Sequence, residues 1–277
     1  MVLRKSYLSF FLAAMFQHLP CLRSLQRIAL SVALLITCFC LGVLPAQTIR
    51  PQETAVQTHS WWHYFGTHRL TNQWSVHTEV QIRRADVVAS WQQLLLRTGI
   101  NYHLTDNITL TAGYCYVGTY PYGEQPIRSF RPEHRPWEQV LVRHFEGIVE
   151  FQHRFRLEQR FLGDFEATAS QPAGGADYQN RMRYRCLVTV PFSGDRVRAG
   201  TWFANVYDEI FINFGESVRY NVFDQNRLGA NIGFQFLPSA NIQIGYMNQT
   251  IQKPNGFQLE SNNTLMFFLF YNLDFRQ

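Results

Sequence analysis

The sequence predicts an all-β fold, and three observations carry that prediction. Apolar and polar residues alternate with a period of two from about residue 58 almost to the C-terminus. No comparable stretch holds a 3.6-residue period. Tight joins alternate along the chain with longer ones that are polar or rich in glycine and proline.

The N-terminal segment comes first. Arg23 and Arg27 precede the apolar run "IALSVALLITCFCLGVL" at 28–44, and Ala46 in "PAQ" offers a small residue for cleavage. Residues 1–46 are therefore expected to be a cleaved signal peptide, with Met15 as an alternative start. A retained anchor is the rival reading, because the run is close to the shortest helix that spans a bilayer. Residues 47–58 form a polar lead, and 59–277 form the folded body.

Within that body, "WSVHTEVQIR" sets Trp74, Val76, Thr78, Val80 and Ile82 against Ser75, His77, Glu79, Gln81 and Arg83. "SWQQLLLRTGINYHL" places Leu94, Leu96 and Ile100 opposite Gln93, Arg97 and Asn101, and "ITLTAGYCYVGTY" continues the rule. In "HRFRLEQRF", Arg154, Arg156, Glu158 and Arg160 alternate with Phe155, Leu157 and Phe161. "NRMRYRCLVTV" sets Arg181, Arg183 and Arg185 against Met182, Tyr184 and Cys186. "NRLGANIGFQF", which carries Arg227, and "NIQIGYMNQ" follow the same pattern.

Short joins are expected at 71–73, 105–107, 145–147, 191–196 and 237–240. Long ones are expected at 84–90, 120–132, 163–177, 215–221 and 253–259. Tight turns at one rim and long loops at the other describe an outer-membrane barrel. The predicted fold is thus a transmembrane antiparallel up-and-down β-barrel. Eleven strands can be counted, but single-chain bacterial barrels have even numbers. The expectation is about 12 (10–12), with the extra strand hidden in the poorly patterned 47–62 region.

The polar face supports a membrane setting. Of the 25 basic residues, four lie in the first 46; without them 21 face 20 acidic ones, and the net charge falls from +5 to +1. That balance supports no nucleic-acid surface. Beyond residue 46 only Lys253 is a lysine. Arginine suits fixed, bidentate pairing with carboxylates, so an enclosed ion-pair network is expected. It comprises Glu79, Arg83, Arg97, Glu133, Arg135, Arg154, Arg156, Glu158, Arg160, Arg181, Arg183, Arg185, Glu209 and Arg227. Glu79, Glu133 and Glu209 are the expected carboxylate partners across strands. Near strand ends, Trp74, Trp91, Tyr120, Trp137 and Phe236 are expected in an interfacial girdle.

The motifs "EVQIR", "QQLLLRTGINYHLTDNITLTAGYCY", "EHRPWEQ", "HRFRLEQRF", "RYRCLVTVPF", "YDEIFINF" and "FDQNRLGANIGFQF" occur in this order. Together they make the chain resemble the domain-of-unknown-function 2490 family (DUF2490), predicted outer-membrane β-barrels of Gram-negative bacteria. The resemblance covers nearly all of 61–275. Asp208 departs from it, standing where asparagine is common. It implies fold and location, and brings no activity.

No catalytic residue is assigned. Barrel lipases place serine two residues after histidine on one strand, and this chain has no His-x-Ser; His59 and Ser60 are adjacent, hence on opposite faces. His77 and His103 lie on polar faces, but no local spacing fixes a second ligand, so neither metal nor cofactor is expected. Cys115 and Cys186 are expected as two separate packed thiols. The leading function is an outer-membrane barrel forming a narrow channel for small solutes, its ligand unidentified. The alternatives are an outer-membrane acyl hydrolase, or an adhesin or receptor using the long loops. Expected partners are outer-membrane lipid and the barrel-assembly machinery.

Overall fold

The structure, a computed structural model, describes residues 53–124, 127, 129–163 and 177–276. The leader read at 1–46, residues 47–52 and most of the join at 163–177 lie outside the described residues. Eleven strands run through the described chain: β1 (Glu53–Arg69), β2 (Trp74–Ala85), β3 (Ser90–His103), β4 (Ile108–Thr119), β5 (Arg131–Glu146), β6 (Val149–Leu162), β7 (Asp177–Pro191), β8 (Thr201–Phe214), β9 (Phe223–Leu237), β10 (Ala240–Gln252) and β11 (Gln258–Tyr271). Sequence neighbours pair antiparallel, and β1 closes the barrel on β11 in parallel, from Glu53↔Gln258 to Phe65↔Phe270.

That closure corrects the expected twelfth strand. Residues 53–58, read as lead, belong to β1, where they pair with the start of β11. An odd number of up-and-down strands sends the first and last in the same direction. Their seam must therefore be a parallel ladder, with its evenly spaced, slanted hydrogen bonds.

The joins alternate less cleanly than expected. The turn at 86–89 is as tight as that at 70–73, because β2 continues to Ala85. Asp86 and Val87 take φ of 51° and 64°, a region β-branched residues rarely adopt. Two contacts hold the turn there: Val87 N–H donates to the Thr58 carbonyl at 3.2 Å, and the Ser60 hydroxyl donates to the Val87 carbonyl. At the opposite rim, the join read as short opens to 192–200, where Gly194 and Gly200 take φ of 72° and 82°.

The alternation sorts by face. Ile82, Leu96, Ile100, Leu228, Ile232, Ile242 and Ile244 are exposed on the outer wall, while Glu79, Arg97, Glu158, Arg183 and Glu209 are buried inside. A few polar pairs interrupt the outer wall and satisfy each other: Gln159 donates to Glu138 at 3.0 Å, and Asn226 to Asp208 at 2.7 Å. Cys115 and Cys186 are both buried and not disulfide-bonded.

Trp137 corrects the expected girdle. β5 begins at Arg131, so residue 137 is well within the strand and shares the inner face with Glu133 and Arg135. It is 1 % exposed. Its ring lies over Gly113 and Gly99, which are cross-strand partners. A Cβ at Gly99 would come within 3.0 Å of the indole, and one at Gly113 within 2.9 Å. The two glycines therefore leave the space the indole fills. Trp74, Trp91 and Phe236 remain exposed on the outer wall.

Candidate functional site

The candidate site is the barrel interior, where strand alternation delivers charged side chains in cross-strand rows. On one row Arg154 of β6 faces Arg185 of β7, which faces Glu209 of β8, which faces Arg227 of β9. The next row holds Gln139, Arg156, Arg183 and Phe211, and the row beyond it Trp137, Glu158, Arg181 and Asn213.

Ion pairs link these rows into a layer across the interior. Arg97 Nη1 donates to both oxygens of Glu79 at 2.7 Å, and its Nη2 lies 3.5 Å from Glu158. Glu158, fully buried, also accepts from Arg181 at 2.6 Å and Arg183 at 2.7 Å. Arg183 continues to Glu209 at 2.8 Å, which accepts from Arg154 at 2.6 Å. A second cluster forms toward the other rim, where Glu133 accepts from Arg135 at 2.8 Å and from Arg160 at 2.5 Å. Removing one member of such a buried set costs about 3–5 kcal/mol, because its partner's charge is left uncompensated.

All fourteen residues expected in the network face this interior, but not all are ion-paired. Among the described residues, Arg83, Arg156, Arg185 and Arg227 have no carboxylate within 4.0 Å. Glutamines take that place: Gln81 and Gln93 accept from Arg83, Gln139 from Arg156 at 2.7 Å, Gln152 from Arg185 at 2.6 Å and Gln225 from Arg227 at 3.2 Å. Aromatic faces assist. Arg83 lies 3.9 Å and Arg227 5.0 Å from the Trp61 ring centroid, and Arg156 lies 4.4 Å from that of Trp137.

Sequence reasoning missed several participants. Asp224 accepts from Arg181 at 2.8 Å, Glu260 pairs with Lys253, and Tyr122 donates to Glu260 at 3.3 Å. Tyr122 belongs to the β4–β5 join, and its ring meets that of His59 of β1 edge-on at 5.5 Å. Burial, and then the Glu260 carboxylate, push its phenol above the usual range. Asp224 and Glu260 fall near the first residues of their strands, before alternation has set a phase. His77 contacts Glu79 at 3.2 Å, and His103 lies between Ser75 and Thr109.

Two cavities flank the ion-paired layer. The larger, about 520 Å³, reaches the rim where Arg143 and Asn272 lie. The smaller, about 200 Å³, lies toward Tyr122 and Lys253. Trp61, Gln81, Arg97, Arg183 and Arg227 line both, so one layer of side chains separates them.

No solved structure matches the chain. An uncharacterized protein of Methylorubrum extorquens is similar to it, 26 % identical over 201 residues that cover 70 % of this chain and 79 % of that protein. The family described as "Protein of unknown function (DUF2490)" matches residues 58–260. With most of the barrel inside that match, from β1 into the start of β11, the chain belongs to the DUF2490 family.

Proposed function

We propose that this protein is an outer-membrane β-barrel of a Gram-negative bacterium that offers small polar solutes a narrow passage, closed at its waist by the Arg–Glu layer. One observation carries the reading: the charged residues are inside and the aliphatic ones outside. In water, so large an exposed apolar wall would drive association; against hydrocarbon it is the favourable surface. Strands of 12 to 17 residues exceed the roughly 9–11 needed to cross a bilayer at a tilt. A cleaved leader at 1–46 and contact with the barrel-assembly machinery belong to the same proposal.

The cavities on both sides of the layer support a passage. A pore lined by charged side chains selects by charge and opens by moving them. Cell fractionation is expected to recover the processed chain in the outer membrane. In planar bilayers, small conductance steps are expected, enlarged when Arg97, Arg183 and Arg227 are all changed to Ala. A silent bilayer for both the wild-type protein and that variant would remove the passage.

A further inference from the structure

We infer that the larger cavity holds a site for a small oxyanion, the phosphate or carboxylate group of a solute, on the arginines of β6 and β7. The inference rests on the charged interior of the barrel and deepens the proposed passage by naming its solute class. Seven arginines line this cavity against three carboxylates, Glu79, Glu150 and Glu209. Four of those arginines form a two-by-two patch, since Arg154 directly faces Arg185 and Arg156 directly faces Arg183. Like charges placed directly opposite each other across a ladder repel, so the patch is costly unless negative charge compensates it.

The described residues supply too little of that charge. Arg154 and Arg183 both use the same oxygen, Glu209 Oε1, and Arg183 reaches Glu158 as well. Among the described residues, Arg156 and Arg185 have only glutamine oxygens as acceptors. Arg156 Nη1, Arg185 Nε and Arg154 Nε are buried with no acceptor among the described residues. Arg156 is itself 2 % exposed. Unmade hydrogen bonds on buried cations are expensive. Guanidinium groups arranged this way suit the planar, two-oxygen edge of a carboxylate or phosphate. The cavity volume falls within the range of small-molecule sites.

Titration of inorganic phosphate into the folded barrel in detergent, at low ionic strength, tests this. Saturable binding is expected, weakened at least tenfold in Arg156→Gln/Arg185→Gln and unchanged in Arg198→Gln, whose side chain is exposed at the rim. Heat-modifiable mobility on a gel reports whether each variant is folded. If the double variant does not fold, Arg185→Gln alone, at the half-buried edge of the patch, is expected to weaken binding at least threefold. Absence of saturable binding in the wild-type protein, or undiminished binding in the folded variants, would overturn the inference. Phosphate binding without conductance would retain the site and remove the passage; conductance without phosphate binding would do the reverse.

Discussion

On β6 and β7 the barrel interior is filled by Arg154, Arg156, Arg183 and Arg185. At the seam, on β1 and β11, the inner face carries Trp61, His63, Phe65, Met266, Phe268 and Phe270. The seam rings pack on one another: Phe65 stacks on Phe270 with centroids 5.1 Å apart, and His63 meets Phe268 at 4.5 Å. Trp61, Met247 and Met266 form a buried apolar cluster beside them. The charged flank depends on directional partners, and each missing one leaves a buried cost. The seam depends on contact area, which tolerates small shifts of shape. Trp61 is where the seam touches the charged interior: its ring takes the guanidinium groups of Arg83 of β2 and Arg227 of β9. Its indole N–H donates to Gln92 at 2.7 Å. The aromatic seam thus supplies a face to two arginines that have no carboxylate within 4.0 Å among the described residues.

Breaking each region separately sharpens that contrast. Glu158→Gln is expected to have the largest effect, because it removes the negative charge shared by Arg97, Arg181 and Arg183. The loss should be about 3–5 kcal/mol in urea unfolding of the detergent-folded barrel. Trp61→Ala attacks the seam, with an expected cost of about 3–4 kcal/mol that falls partly on Arg83 and Arg227. Combined with Arg83→Gln, it should cost less than the sum of the two single changes, because the pair shares one contact.

Asp274→Asn touches neither region. The hydrogen bonds from Arg276 hold the Asp274 carboxyl down to about 2, below its ordinary value of 3.8. A lowered carboxyl lends stability above its ordinary range and loses it as the pH falls through about 2. The variant and the wild-type protein should therefore converge in strong acid. At pH 7 they should differ by less than urea unfolding resolves, since both side chains of the pair are exposed.

The same contrast explains what could be read from the residues alone. Where one face is charged and the other apolar, as at 74–83, 153–161 and 181–190, alternation reveals strand and facing together. At the seam it fails, because both faces are aromatic. Trp61, His63 and Phe65 point inward while Trp62 and Tyr64 point outward, and at 53–60 both faces carry small or polar residues, so the start of β1 shows no readable alternation and is misjudged. Trp137 is misplaced because the join expected at 120–132 sets it close to a strand end. In fact β5 runs through Pro132 and Pro136, and its ladder with β6 skips Arg135 and Pro136, the second of which has no N–H to give. Glu79, Glu133 and Glu209 were legible as carboxylate partners from their facing. That no carboxylate among the described residues stands beside Arg156 and Arg185 was not, because it depends on which strands meet across the interior.

Adjacent tryptophans offer the sharpest test of the central claim, that the outer wall meets lipid and the charged interior does not. Trp61 is 2 % exposed and Trp62 is 46 % exposed, with one peptide bond between them. Two variants, each retaining one of these two as its sole tryptophan and folded into vesicles of brominated phosphatidylcholine, place a fluorophore on either side of the wall. Strong quenching of Trp62 and little of Trp61 is the predicted result. Equal quenching of the two, or a chain that stays monodisperse in buffer and never enters the vesicles, would contradict it.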